Sequence, residues 1–429
     1  MCGIYYCNKF ALPYNKTLRR RGPESWNEVH HPELGYFGHS LLTTRGNNTV
    51  EGPIQVGEGM FLYNGNTYND VSMNDTEWIA ENLITDTVDD IIQFIKLLKG
   101  EYAFTYVSEE KIIFCTDHFG LKPLCYFNDD THFAVASLAD TLVHSFGSFT
   151  RCTPNKIYIL DRETNNLSTV TNKEWNLEQT VNNWDNVWEC FEQSVKDRYN
   201  SWCSLNLSSG YDSGVIACAV NKFFTDEDCY YVYNSNEAEN VMAERIALHN
   251  ATVINDLYGW KMPKRIVRDM RDIGLTAPDI PDLDHNGFAN MGDANIYMNM
   301  LSKNKKIILG GEGGDDIYSD YGHAGKHLRT WSKFGGLFPK NLHTVWPWHE
   351  NSMWKEFYNR TEISAGFWGI EARSPLMCSD LVQSWLNTTH TLKNKEYKGW
   401  MSQYMQNHNY PFAHIKDFPK QGYNRATKQ

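Results

Sequence analysis

Apolar positions along this chain follow two regimes. Up to about residue 160 they come in short segments, such as 36–40, most of them too brief to assign one by one. Lys111-Ile112-Ile113-Phe114-Cys115-Thr116 and Lys156-Ile157-Tyr158-Ile159-Leu160 read as strands. Residues 89–98 read as an amphipathic helix, with Ile91, Ile92, Ile95 and Leu98 on one face. The pattern predicts an N-terminal sandwich of antiparallel sheets flanked by helices. The polar stretch 162–183 reads as a linker. Beyond it, residues 184–199 read as a helix, and strands at 203–207, 229–234 and 306–309 alternate with helices, as in a parallel α/β sheet. Past about Gly322 the chain turns rich in Trp, Lys and His and is expected to be mostly helical. Two domains are therefore expected, over 1–165 and 180–429, each large enough to bury its own core.

The most informative segment runs from Leu205 through Leu207-Ser208-Ser209-Gly210-Tyr211-Asp212-Ser213 into the apolar Val215 to Val220. It reads as strand, tight turn, helix. Such a turn directs backbone N–H groups and the hydroxyls of Ser208, Ser209 and Ser213 toward the positive end of a helix predicted to begin near Gly214, which suits a phosphate chain. Asp212 would repel a bare polyphosphate, so a divalent cation between carboxylate and phosphate oxygens is expected. No Gly-Lys-Ser or Gly-Lys-Thr occurs, so the turn is not a Walker loop. A plain connector remains the alternative for this turn taken alone. A second turn changes the balance: Ile307-Ile308-Leu309 runs into Gly310-Gly311-Glu312-Gly313-Gly314-Asp315-Asp316. The C-terminal ends of parallel strands line one crevice, so Asp212 and Asp315 are expected to converge on one cation, with Glu312 free to act as a base.

Composition narrows the function classes. The net charge is −12 and no Lys/Arg run exceeds Arg19-Arg20-Arg21, which argues against nucleic-acid binding. No apolar run approaches the roughly eighteen residues that cross a bilayer, and the start lacks the pattern of a signal peptide, so no membrane association is expected. Ten cysteines lie scattered without a C-x-x-C pair, which points to a reducing cytoplasm and away from zinc.

Ser208 to Ser213 resembles the Ser-Gly-Gly-x-Asp-Ser pyrophosphatase loop of the asparagine synthetase family, with Ser209 in place of the first glycine. Gly311 to Asp316, Gly369-Ile370-Glu371-Ala372-Arg373-Ser374-Pro375-Leu376 and Lys420-Gln421-Gly422-Tyr423 are similar to further motifs of that family, in the same order. The N-terminal half resembles the family's glutamine amidotransferase of the N-terminal-cysteine kind, through Met1-Cys2-Gly3-Ile4, Arg21-Gly22-Pro23-Glu24, Gly38-His39, Tyr63-Asn64-Gly65, Asp75-Thr76-Glu77, 100–104 and 119–124. Loss of Met1 would leave Cys2 carrying both a thiol nucleophile and an α-amine able to act as its base.

The resemblance implies ATP and Mg²⁺ as cofactors and an ATP-pyrophosphatase fold, related to adenine nucleotide hydrolases, for the second domain. It implies that Leu207, Ser208, Ser209, Gly210, Asp212, Ser213, Gly310 and Gly311 bind ATP, that Asp212 and Asp315 bind the metal, and that Glu312 and Lys420 serve catalysis. Asn64 and Gly65 would form an oxyanion hole, and Asp75 would hold the glutamine amine, although Asp75 could equally cap the helix that follows. Glu371 and Arg373 are expected to be a buried structural pair. The implied reaction joins a carboxylate, by default aspartate, to nitrogen from glutamine or ammonia through an acyl-adenylate. A homodimer stays open.

Two departures from the family pattern matter. The arginine expected to clamp the glutamine carboxylate is Leu41 here; Arg45 is the candidate substitute, and the loss of a bidentate clamp costs about 1.5–3 kcal/mol. Leu376-Met377-Cys378 replaces Phe-Leu-Asp, which leaves the acid open. The alternatives are another amide-forming ligase of the β-lactam synthetase or peptide-cyclising kind, an amidohydrolase with an inert second half, and a degenerate nucleotide-binding protein.

Overall fold

Alternation of side chains across a pleat builds the first half of the molecule. The structure, a computed structural model, describes residues 2–13, 16–45, 49–224, 229–232, 238–254, 305–329, 332–348 and 360–415. These fall into two compact units: residues up to 174 with 360–371, and residues from 175 onward without that segment.

The first unit contains β1 (Gly3–Cys7), β2 (Ser25–His31), β3 (Gly35–Leu41), β4 (Ile54–Val56), β5 (Gly59–Thr67), β6 (Gly100–Val107), β7 (Lys111–Thr116), β8 (Cys125–Asn128), β9 (Phe133–Ala136), β10 (Thr150–Arg151), β11 (Lys156–Asp161) and β12 (Leu167–Thr171). They form two six-stranded antiparallel sheets, ordered β10-β8-β9-β1-β3-β2 and β12-β11-β7-β6-β5-β4. Period two decides which residue goes where. Met60, Leu62, Ala103, Ile112 and Phe114 meet Ile4, Tyr6 and Phe37 between the sheets. Their sequence neighbours Phe61, Tyr102, Phe104, Ile113 and Cys115 face the opposite way, toward α2 (Asp75–Asn82) and α3 (Val88–Leu97). Each fully buried Ile or Phe there contributes about 1.5–3 kcal/mol. Helices α1 (Lys16–Arg21) and α4 (Ala139–Phe146) cover the other sheet. The expected antiparallel sandwich with flanking helices is what forms.

The expected linker is in part ordered structure. β12 lies inside it and pairs with β11 from Lys156↔Thr171 to Leu160↔Leu167, so a mostly polar segment becomes an edge strand because β11 supplies its hydrogen-bond partners. The predicted helix 89–98 appears as α3, which begins one residue earlier and ends one earlier, with Thr87 as its cap accepting the Asp90 N–H.

His39, on β3, is buried and accepts the Gly52 N–H at Nδ1. Burial, with help from the nearby amino terminus, lowers its pKa from 6.5 to about 4. The unfolded chain therefore binds the extra proton between these values, and stability falls as pH drops from 6.5 to 4, by about 3 kcal/mol at 1.36 kcal/mol per unit. The expected result is that His39→Gln flattens the acid limb of the unfolding free energy measured by urea titration between pH 7 and 4; an unchanged limb would remove His39 as its cause.

The second unit carries β13 (Cys203–Leu207), β14 (Cys229–Val232), β15 (Thr252–Ile254) and β16 (Ile307–Leu309), parallel and in the order β15-β14-β13-β16, with Glu371–Arg373 next to β16. Helix α5 (Asp185–Arg198) packs on α6 (Tyr211–Phe223), and α7 (Glu239–Leu248) precedes β15. Helix α6 begins at Tyr211, three residues before the predicted start, because the backbone turns at Gly210 and the Gly214 N–H already bonds the Gly210 carbonyl. Asp212 and Ser213 thus sit in its first turn. Helices Ser379–Leu386, His390–Lys393 and Gly399–Asn407 fit the expectation of a helical C-terminal part. The described residues of 322–345 do not, and contain a hairpin of two short strands and a single 3₁₀ turn. There the buried Asp320 carboxylate accepts the N–H groups of Lys333 and Phe334 and the hydroxyl of Ser332, tying the loop from within. No helix among the described residues is long and apolar enough to cross a membrane.

Candidate active sites

In the second unit, β13 and β16 are parallel neighbours, so their C-terminal ends open side by side. β13 ends at Leu207 and leads through Ser208–Gly210 into α6, while β16 ends at Leu309 and leads through Gly310–Gly314 to Asp315. The two turns touch. A Cβ on Gly314 would run into the Asp212 carboxylate carbon, so only glycine allows this approach. Asp212 and Asp315 converge on one cation, and that cation is the Lys398 ammonium, bonded to Asp212 Oδ1 and, at 2.6 Å, to Asp315 Oδ1. Asp316, next along, is buried with Oδ1 unpartnered among the described residues, and burial together with the Asp315 charge pushes its pKa up to about 7.

The Ser208 and Ser213 hydroxyls meet at 2.6 Å, and the Gly210 N–H donates to Ser208 Oγ. Ser209 faces another way and accepts the Ala238 N–H at the start of α7. Glu312 folds back over Gly310 and accepts the Ser374 hydroxyl at 3.3 Å. Glu371 and Arg373 are both buried. Arg373 donates to the Arg198 carbonyl at 2.7 Å, and its own carbonyl accepts the Gly310 N–H, which anchors the second turn. Lys420, with Gln421, Gly422 and Tyr423, lies outside the described residues.

The first unit assembles the other candidate site. The Cys2 N–H donates to Asn64 Oδ1 at 2.8 Å. Asn64 is fully buried on β5 and its Nδ2 has no partner among the described residues, a donor left for an incoming oxygen. Gly65 follows at φ 151°, where a Cβ would strike the Glu101 carbonyl of the neighbouring strand, so only glycine fits there. Burial pushes the Cys2 thiol pKa up, against the pull of the amino terminus and of a backbone bond from Leu42. Arg21 Nε donates to the Cys2 carbonyl at 3.2 Å and fixes that residue's backbone.

Asp75 is buried and accepts the Thr67 N–H, and burial raises its pKa against the opposing charge of Arg45. It is not the cap of α2. Asn74 takes that place and accepts the Thr76 and Glu77 N–H groups, because it is the residue held in the extended conformation before the first turn. Leu41 is buried. The Arg45 guanidinium donates to the carbonyls of Thr67 and Asp70, so it braces the loop beside Asp75.

Three groups escaped sequence reasoning. Arg245 on α7 is fully buried and donates to the carbonyls of Ser208, Gly210 and Pro411, which holds the first turn's carbonyls on its inner side. Its signal was a charge three residues after Met242 on the buried stripe of a helix. Glu362 is buried between Arg21 and Lys122, at 2.7 and 3.0 Å. Lys398 had no local signal at all.

Residues 53–144 match a family profile described as a glutamine amidotransferase domain. The chain is 22% identical over 445 residues to a Methanocaldococcus jannaschii protein provisionally named asparagine synthetase, glutamine-hydrolysing, with 87% of this chain and 76% of that one aligned. A Gallus gallus protein named asparagine synthetase domain-containing protein 1 is 31% identical over 149 residues, which cover 29% of this chain and 23% of that protein. Among solved structures, the Bacillus subtilis glutamine phosphoribosylpyrophosphate amidotransferase with ADP and GMP aligns over 63% of this chain and 70% of its own, at 15% identity and a TM-score of 0.34. The chain therefore carries a glutamine amidotransferase domain. Over most of its length it is similar to a protein provisionally named asparagine synthetase.

Proposed function

We propose that the protein is an ATP-dependent amide-forming ligase of the cytoplasm, with aspartate as the first acid to test. The observation that carries this reading is the meeting of Asp212 and Asp315 from two separate turns on one cation, at the C-terminal edge of a parallel sheet. Two carboxylates fit Mg²⁺, which is held through one or two carboxylates with phosphate oxygens and water completing its octahedron. When bound it would draw charge from the transferring phosphoryl oxygens. Ser208, Gly210 and Ser213, braced beneath by Arg245, would hold the departing pyrophosphate. The substrate carboxylate attacks the α-phosphorus, the bond to pyrophosphate breaks, and an acyl-adenylate results. Ammonia then attacks its carbonyl carbon, AMP leaves, and Glu312 takes the proton; Lys420 would offset the developing negative charge.

In the first unit, glutamine would lie with its amine on Asp75 and its amide carbonyl against Asn64 Nδ2 and the Gly65 N–H, open to Cys2 once Met1 is removed. The buried Leu41 and the engagement of Arg45 with backbone carbonyls favour a loose hold on the glutamine carboxylate and efficient use of free ammonia.

The deciding experiment measures pyrophosphate release from ATP across a panel of carboxylic acids, once with glutamine and once with ammonium. Release that depends on one acid is expected, and Asp315→Asn is expected to lower it at least tenfold. No acid-dependent release from any member would remove the ligase reading.

A further inference from the structure

The Lys398 side chain is wholly shielded from solvent, whereas Asp212 and Asp315 keep 17% and 22% of their side-chain exposure. Solvent thus reaches the carboxylate pair while the ammonium is sealed beneath it. The Lys398 backbone is left-handed, φ 46° and ψ 45°, at the N-terminal end of helix Gly399–Asn407, and its carbonyl accepts the Met401 and Ser402 N–H groups. A residue with a Cβ holds that conformation only where its surroundings over-determine it. Here the two ends of the side chain are fixed, by the start of a helix and by two carboxylates from turns 83 and 186 residues distant in sequence. Asp316 is the third carboxyl of the group, within electrostatic reach of both Asp315 and Lys398.

Resting on the reading of these turns as the nucleotide site, we infer that Lys398 is the resident counter-cation of that site: its ammonium stands where a divalent ion would bridge Asp212 and Asp315, and keeps the metal alone from binding. Mg²⁺ coordinates carboxylate oxygens at roughly 2.0–2.1 Å. On the same two oxygens it would be thrust against an ammonium already at hydrogen-bond distance from them, and like charges so close repel strongly in a partly buried place. Phosphate oxygens remove the conflict. They complete the metal's coordination and offer the ammonium new acceptors, as lysines do in other phosphate sites. Metal and nucleotide therefore enter together, and in the empty site the two carboxylates stay paired without either.

The test uses the full chain and Mn²⁺ alone, with no nucleotide, acid or nitrogen donor, and reads bound metal by electron paramagnetic resonance. Lys398→Met is expected to bind one Mn²⁺ at least tenfold more tightly than the unaltered protein, and adding Asp212→Asn is expected to abolish that gain. Lys398→Gln, which keeps a hydrogen-bond donor for one carboxylate, is expected to show the same gain. Equal affinity in the variants and the unaltered protein would overturn the inference. Should neither variant fold in EDTA, refolding is repeated with Mn²⁺: recovery only with the metal supports the inference, and failure in both overturns it. Because no turnover is read, a negative result in the pyrophosphate screen would not decide this one, and the reverse also holds.

Discussion

Alanine at position 2 is expected to abolish glutamate release from glutamine while leaving ammonium-supported pyrophosphate release intact. The thiol is the only nucleophile proposed for the amide carbon, so its loss leaves no path to a thioester and the rate falls to that of solvent hydrolysis. Alanine at position 64 tests the same site through a different atom. Asn64 Nδ2 is a buried donor with no partner among the described residues, which costs stability in the resting protein and is relieved when a carbonyl oxygen arrives and gathers charge. Removing one such donor costs about 10²–10³ in rate. Asn64→Ala is therefore expected to lower glutamate release by that factor, with a smaller change in KM, since the contact tightens as the oxygen becomes an oxyanion. Glutamate release by Cys2→Ala equal to that of the unaltered protein would exclude this site.

The largest effect on stability is expected from Glu362→Gln. The Arg21 and Lys122 side chains are fully shielded from solvent and Glu362 nearly so, and this carboxylate binds both cations at once. Burial lowers the Lys122 ammonium pKa, and the carboxylates of Glu362, Glu371 and Glu101 outweigh burial and hold it above its ordinary value. A neutral amide would leave two buried cations with one compensating charge fewer. Breaking a buried pair in this way costs about 3–5 kcal/mol. For a unit of this size each kcal/mol moves the melting temperature by about 2–4 °C, so a fall of about 10 °C is expected by calorimetry. The double variant Glu362→Gln, Lys122→Met is expected to recover part of the loss, because the stranded charge goes with the lysine. A melting temperature unchanged by Glu362→Gln would show that the cluster contributes no net stability.

The extent to which the sequence disclosed all this varies with the range of the interaction. β7 and β13 have the limits expected of them, since a run of β-branched and aromatic residues in β7, and the alternation of Cys203, Leu205 and Leu207 with Ser204 and Asn206 in β13, are local signals. β12 went unread because its pairing partner, not its own composition, makes it a strand. The start of α6 moved three residues toward the N-terminus because a cap is a matter of one backbone angle at Gly210, which composition does not encode. Asn74 displaced Asp75 as the cap for the same reason, since neighbouring short polar side chains are equally good caps until the backbone chooses between them. Arg245 drew no reading from the sequence, since a single charge on a helix does not disclose that it supports the first turn from behind.

What the sequence alone determined is the chemistry on offer: two acidic, glycine-bearing turns at strand ends, a cysteine at position 2, an Asn-Gly pair at 64–65, and the periodicities that separate an antiparallel half from a parallel one. Each of these is carried by residues close together in the chain, where spacing and side-chain type suffice. The tertiary structure decided which cation lies between Asp212 and Asp315, which carboxylate lies between Arg21 and Lys122, and what supports the turn at Ser208–Gly210. Those choices are made by lone charged residues far away in sequence, and a lone lysine or glutamate looks the same to its neighbours whether it ends in water or in a buried pair. Only the path of the backbone between them settles the difference.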